Sequence, residues 1–184
     1  MSRKVLVAYA TKMGATAGIA EAIGTELRSH GHQVDVREVG QISRISWYDA
    51  VVLGSAVYAH RWRPEAVTFL RHHTKELRDR QVWLFHSGPV GPASDQLQSM
   101  PRKVQRLARR IGATPAMTFA GKLTQETAEG FLATRMARTQ LAGDFRDWDL
   151  ISAWAKDIGA AISAIEVSTW HRPGDPASTQ KSHT

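Results

Sequence analysis

Two hydroxyl residues flank a glycine in 11-TKMGAT-16, directly after the small and branched apolar run Val5, Leu6, Val7, Ala8. A strand that ends here and turns into a helix points backbone amides outward. The helix N-terminus adds positive potential, so an oxyanion is the natural occupant. Thr11 and Thr16 can each donate a hydroxyl, Gly14 permits close approach or positive φ, and Lys12 brings charge to the mouth. Ordinary helix capping by Thr16 is the plainer alternative. The segment is neither GxGxxG nor GxxxxGKS/T, the loops that cradle dinucleotides and nucleoside triphosphates, and 40-GQISRI-45 supplies neither. A phosphomonoester is the better match.

Two further segments offer groups suited to a flat ligand. In 54-GSAVYAHRWRPEA-66, Gly54 and Ser55 read as a tight turn, with Tyr58, His60 and Trp62 as rings near a crevice. Tyr58 is the candidate to lie against the face of a flat ring, because offset ring packing contributes roughly 0.5–1.5 kcal/mol beyond area burial. Trp62 could instead pack onto the helix that starts at Pro64. His60 reads equally as a loop histidine bonded to backbone or as a proton-transfer group. The Gly- and Pro-rich stretch 86-HSGPVGPAS-94 would hold backbone groups in set directions along the polar edge of a ring, or serve as a rigid connection.

The elements that must position these residues alternate. Residues 3–10 suit a buried strand, and 16–30 place Ile19, Ile23 and Leu27 at helical spacing; Val34, Val36 and Val39 alternate as a second strand. Residues 49–55 give a third strand. A helix then runs from Pro64 with Val67, Phe69, Leu70 and Leu77 as its apolar positions, and 81–88 form a fourth strand. A helix over 99–111 (Val104, Leu107, Ile111), a strand over 115–121 and a helix over 147–166 (Trp148, Ile151, Trp154, Ile158, Ile162) close the pattern. Strand and helix in alternation predict a doubly wound parallel sheet with its ligand loops at the carboxyl ends of the strands. Residues 122–146, with Phe131, Leu132, Met136 and Leu141, fit either a short amphipathic helix or a packed loop. One domain over 1–167 and a mobile polar tail over 168–184 are expected.

Composition narrows the chemistry. The chain has 184 residues, 42% of them hydrophobic, enough for one well-filled core. It contains no cysteine, which excludes disulfides, thiolate catalysis and cysteine-ligated metal centres, so redox chemistry needs a bound cofactor. No apolar run is long enough to span a membrane and no signal-peptide layout opens the chain, so a cytoplasmic location is expected. The net charge of +7 favours anionic neighbours. The cations are dispersed and no zinc module or RNA-recognition signature is present, which argues against nucleic acid.

TKMGAT, GSAVYAHRW and HSGPVG, in this order, resemble the flavodoxin superfamily, whose phosphate loop has the pattern T/S-x-x-G-x-T. Within it, GSAVYAHRWRPEAVTFLRHH, FAGKL at 119–123 and FRDWDLISAWAKDI at 145–158 are similar to flavodoxin-domain proteins related to bacterial quinone-dependent protoporphyrinogen dehydrogenase. The resemblance implies an α/β, flavodoxin-like three-layer sandwich with a five-stranded parallel sheet in the order 2-1-3-4-5, binding one FMN. It implies that Thr11, Lys12, Met13, Gly14, Ala15 and Thr16 wrap the phosphate. Ser55, Ala56, Val57, Tyr58, Ala59 and His60 would border the ring, and Ser87, Gly88, Pro89, Val90 and Gly91 its other edge. No side chain need act as acid or base, since FMN carries the chemistry, and no metal is implied. Electron carriers of the superfamily are commonly acidic, whereas this chain is basic. A rim of Lys12, Arg61, Arg63, Arg102 and Lys103 would steer it toward an acidic redox partner, an anionic substrate or a peripheral contact with the inner face of the membrane. The expected activity is oxidation of a porphyrinogen-like or other reduced substrate with a quinone acceptor. The alternatives are an electron shuttle to a partner protein and a nonredox interaction module.

Overall fold

Apolar side chains on both faces of the first strand decide the architecture. In β1 (Lys4–Ala10), Val5 and Val7 are sealed on one side, and Leu6 and Ala8 on the other. A strand buried on both faces needs helices above and below it. The computed structural model describes residues 2–88, 90, 98–124, 139 and 142–164, and shows that arrangement. Helix α1 (Ala15–Ser29) turns Ile19, Ile23 and Leu27 onto the face of Val5 and Val7. Chain order then gives β2 (Gln33–Glu38), a short 3-10 turn over Val39–Gln41 and β3 (Ala50–Tyr58).

A two-residue strand β4 (Arg61–Trp62) precedes α2 (Pro64–His72), α3 (Thr74–Leu77), β5 (Gln81–Ser87), α4 (Arg102–Arg110) and β6 (Met117–Phe119). The short pair β7 (Lys122–Leu123) and β8 (Gly143–Asp144) comes before α5 (Trp148–Ser163). The parallel strands lie in the order β2-β1-β3-β5-β6, with Leu6 beside Val51, Leu53 beside Leu84 and Phe85 beside Met117. Because β4 is only a hairpin return from β3, this is the expected 2-1-3-4-5 order of the five main strands. Helix α5 covers the α1 face with Ile151, Ile158 and Ile162. Phe69, Leu70, Leu77, Val104 and Leu107 from α2, α3 and α4 fill the other core.

Local chemistry sets the departures from the sequence reading. Gly54 and Ser55 do not turn; they lie inside β3, which continues to Tyr58. A Cβ at Gly54 would stand 2.0 Å from Cζ of Phe85, so the glycine makes room for a neighbouring ring. Val39 leaves the second strand for the 3-10 turn. The helix after Pro64 breaks at His73, where the Thr74 hydroxyl bonds back to the Leu70 carbonyl at 2.7 Å and competes with the backbone ladder. Trp148 is 46% exposed in the first turn of α5, with the Arg146 guanidinium 4.3 Å from its ring. Phe131, Leu132, Met136, Leu141 and the tail over 168–184 lie outside the described residues.

Candidate functional site

The chain leaves β1 at Ala10 and enters α1 through Gly14, whose φ of +80° is left-handed. The Gly14 amide donates to Thr11 Oγ1 at 3.1 Å, which closes the loop, and no side chain caps the helix. The first turn of α1 carries no acidic residue, so its free N–H groups and positive end remain open to an anion. Thr16 is fully buried, and its hydroxyl pairs with that of Ser87 at 2.7 Å. Two hydroxyls sharing one bond keep one proton to give elsewhere.

The opposite wall is a hairpin. Tyr58 pairs with Arg61 and Val57 with Trp62, leaving Ala59 and His60 as a two-residue loop. Both have left-handed φ, +48° and +58°, as in the type I′ turn that matches strand twist. Neither is glycine, so the turn carries backbone strain of the kind that gathers at binding sites. Lys12 Nζ lies 4.0 Å from the Tyr58 ring centroid and links this hairpin to the first loop.

Behind the hairpin a polar chain crosses the sheet. Trp62, buried in the core, donates its indole N–H to His86 Nδ1 at 3.3 Å, and His86 Nε2 lies 2.8 Å from Thr118 Oγ1. With Nδ1 accepting, Nε2 carries the proton and donates to Thr118. Burial lowers the His86 pKa from 6.5 to about 4, only partly offset by the Gln98 backbone, so the ring is neutral at pH 7. The Gln98 amide bonds Thr118 Oγ1 at 3.3 Å, which ties the start of the segment before α4 to the same chain.

These walls enclose a cleft of about 350 Å³ at the carboxyl ends of β1, β3, β5 and β6. Thr11, Lys12, Met13, Ala15 and Thr16 line one side, and Ala56, Val57, Tyr58, Ala59 and His60 another; Ser87, Gly88 and Val90 line the third. Gly14 shapes the loop without lining the cleft. Ser55 is buried beneath it, where its hydroxyl accepts the Arg63 amide at 2.9 Å and donates to the Ala56 carbonyl, so it does not line the cleft. Pro89 and Gly91 lie outside the described residues.

Of the expected basic rim only Lys12 lines the cleft; Arg63 pairs with Glu65 at 3.0 Å. Sequence reasoning missed Gln98, Gly121, Lys122 and Leu123. Gly121 to Leu123 follow β6, the last parallel strand, and the rule that ligands gather at strand ends could have found them. Gln98 has no local signal. Its Oε1 is buried without a hydrogen-bond partner among the described residues, which leaves an acceptor at the cleft wall beside Gly88. Lys12 and Lys122 are the charged side chains of the lining, with no carboxylate among its described residues. No group of three metal-ligating residues occurs among the described residues, and no helix there is long and apolar enough to cross a membrane.

A parallel sheet in this order, helices on both faces and a cleft above the first strand's phosphate-type loop define a flavodoxin-like sandwich. A family model of the flavodoxin domain matches residues 6–139, and the chain belongs to that family. Protoporphyrinogen IX dehydrogenase (quinone) of Escherichia coli K12 is 32% identical over 76 residues, covering 40% of this chain and 42% of that protein. The chain thus matches less than half the length of this relative.

Among solved structures, a flavodoxin from the domain Archaea superposes with TM-score 0.57 at 16% identity, over 87% of this chain and 99% of the other. Oxidised flavodoxin 2 of Bacillus cereus gives TM-score 0.56 at 21% identity, over 87% and 99%. Rubredoxin oxygen:oxidoreductase of Desulfovibrio gigas gives TM-score 0.60 at 17% identity, over 88% of this chain and 36% of that one. These likenesses extend the shared fold to flavodoxins and to a larger oxidoreductase.

Proposed function

We propose that the protein is an electron-transfer flavoprotein that holds one FMN in this cleft. The observation that carries the reading is the joining, in one cavity, of an uncapped helix N-terminus with an orphaned buried acceptor, Gln98 Oε1. A phosphomonoester fits the first, and a ring N–H fits the second. Bound FMN would supply electron transfer between donor and acceptor.

The chain's own residues bind and orient it. The first-turn amides of α1 and the spare proton of the Thr16–Ser87 pair would hold the phosphate. Met13, Val57 and Leu123 keep water from the apolar part of the cleft, and Tyr58 offers a ring face. Lys12 and Lys122 would offset the negative charge of a bound anionic cofactor. His86 stays neutral and holds the wall through Trp62 and Thr118.

A second reading is oxidation of a carboxylate-bearing, porphyrinogen-like substrate with a quinone acceptor. The two cleft lysines without a facing carboxylate favour it, as does the partial similarity to the dehydrogenase. The absorbance spectrum of the natively purified protein, followed by heat release and identification of the chromophore, tests the cofactor. About one FMN per chain is expected, and a chain that stays colourless after added FMN and desalting would overturn both readings. Turnover of a porphyrinogen with quinone and no partner protein selects the second reading; reduction that requires a partner protein selects the first.

A further inference from the structure

An unfavourable arrangement of charge lies away from the cofactor cleft, on α4. Its nine residues, RKVQRLARR, carry Arg102, Lys103, Arg106, Arg109 and Arg110 and no acid. Arg102 and Lys103 occupy the first turn, where the helix dipole disfavours cations, and Pro101 at the N-cap offers no side-chain bond. Arg106 is three or four residues from each of the other four, so like charges repel along the whole helix. Only Arg109 and Arg110, in the last turn, suit the dipole. Val104, Leu107 and Ala108 pin the other face in the core, so the helix cannot rotate its cations apart.

These cations border a groove. Lys103, Arg106 and Arg110 of α4 face Arg71 of α2 and Thr74 of α3 across a hollow of about 300 Å³, with Leu107 at its floor. None of the four cations makes an ion pair or side-chain hydrogen bond among the described residues. Glu76 of α3 is held by His73 at 2.8 Å, and Arg78 Nε binds the Arg110 carbonyl at 2.9 Å beside the far end of the groove. Local rules broken without a compensating contact gather at functional or strained sites.

We propose that this groove binds an extended acidic segment of a partner protein. Lys103 to Arg110 spans about 10 Å at the helical rise. An extended peptide places same-face carboxylates about 7 Å apart, so two or three of them match that length. Bases would need an aromatic platform, and no aromatic residue lines the groove. A membrane surface would call for large apolar residues beside the cations, and the exposed ones among the described residues, Trp47, Tyr58, Trp148 and Leu150, all lie outside α2, α3 and α4. Gln98, at the wall of the cofactor cleft, is four residues before Arg102, so the N-terminal end of α4 is the end of the groove nearer the cleft. Binding itself does not depend on the cofactor reading; its use in electron transfer does.

The test is fluorescence anisotropy at low salt with a fluorescein-labelled Glu-Ala-Glu-Ala-Glu-Ala peptide. The double variant Arg106→Glu with Arg110→Glu should weaken binding by at least about tenfold. Arg37→Glu with Arg44→Glu, an equal change of charge at exposed positions on and after β2, should change it by less than about threefold. The charge argument predicts in addition that Arg106→Glu raises the Tm of the free protein by about 2–4 °C. Absent peptide binding, equal weakening in both doubles, or a Tm that fails to rise would overturn the proposal. So would tighter, groove-dependent binding of tripolyphosphate, a thymidine oligonucleotide or phosphatidylglycerol vesicles. FMN retention is measured on the same samples, so failure of the groove and failure of the cofactor site are separately visible.

Discussion

His86 offers a direct check on the polar chain behind the cleft. It is fully buried, accepts from Trp62 and donates to Thr118, and its pKa falls to about 4 because charging it would strand a cation away from water. Protonation would also set Nδ1–H against the indole N–H. Between about pH 6.5 and 4 the unfolded chain takes up a proton that the folded chain refuses. The contribution is therefore fully present above that window and is lost as the pH falls through it. For these two pKa values the loss from pH 7 to pH 5 is about 2 kcal/mol.

His86→Gln keeps an acceptor for Trp62 and a donor for Thr118 but does not titrate, so it should be free of this loss. Urea unfolding at pH 7, 6 and 5 with saturating FMN should show the wild type losing about 2 kcal/mol more than the variant, or about 4–8 °C in Tm. Carboxylates with lowered pKa values, Glu26 through its bond to Ser152 and Asp144 through Arg146, titrate in both proteins and cancel in the comparison. Parallel curves for the two proteins would refute the neutral, buried assignment of His86.

Thr16→Ala removes the buried hydroxyl paired with Ser87 and should weaken FMN retention by about 1–3 kcal/mol, read by quenching of FMN fluorescence; unchanged affinity would remove the phosphate assignment. Gly54→Ala forces a methyl into the Phe85 ring, which Phe119 and Trp154 back at centroid distances of 5.8 and 6.0 Å, so urea unfolding should show a loss of about 1–3 kcal/mol or more. Asp147→Ala deletes the cap that accepts the Leu150 amide at 2.9 Å and should cost about 1 kcal/mol in the same assay, with FMN affinity unchanged.

Much of this protein is written in short-range pattern. Val5 to Ala8, Val51 to Leu53 and Val82 to Phe85 are unbroken apolar runs, and such runs with helical stripes between them admit a parallel sheet covered on both faces. The loop TKMGAT is legible for a related reason: a left-handed glycine, flanking hydroxyls and a helix start are all local requirements of an anion site. Those features follow from residues within a few positions of one another.

Contacts between distant segments decided the rest. The hairpin at Ala59 and His60 lacks the Asn-Gly or Asp-Gly signal of a type I′ turn, so only the pairing of Val57 with Trp62 reveals it. Gly54 looked like a turn residue until the Phe85 ring on the neighbouring strand took the space its side chain would fill. Gln98 and Lys122 reach the cleft because β6 aligns beside β5, and the basic groove exists because α2 and α3 come to rest against α4. Periodicity assigns a residue to a face of its own element; which other face it meets is settled when the two cores close, and the cleft and the groove are both made of such meetings.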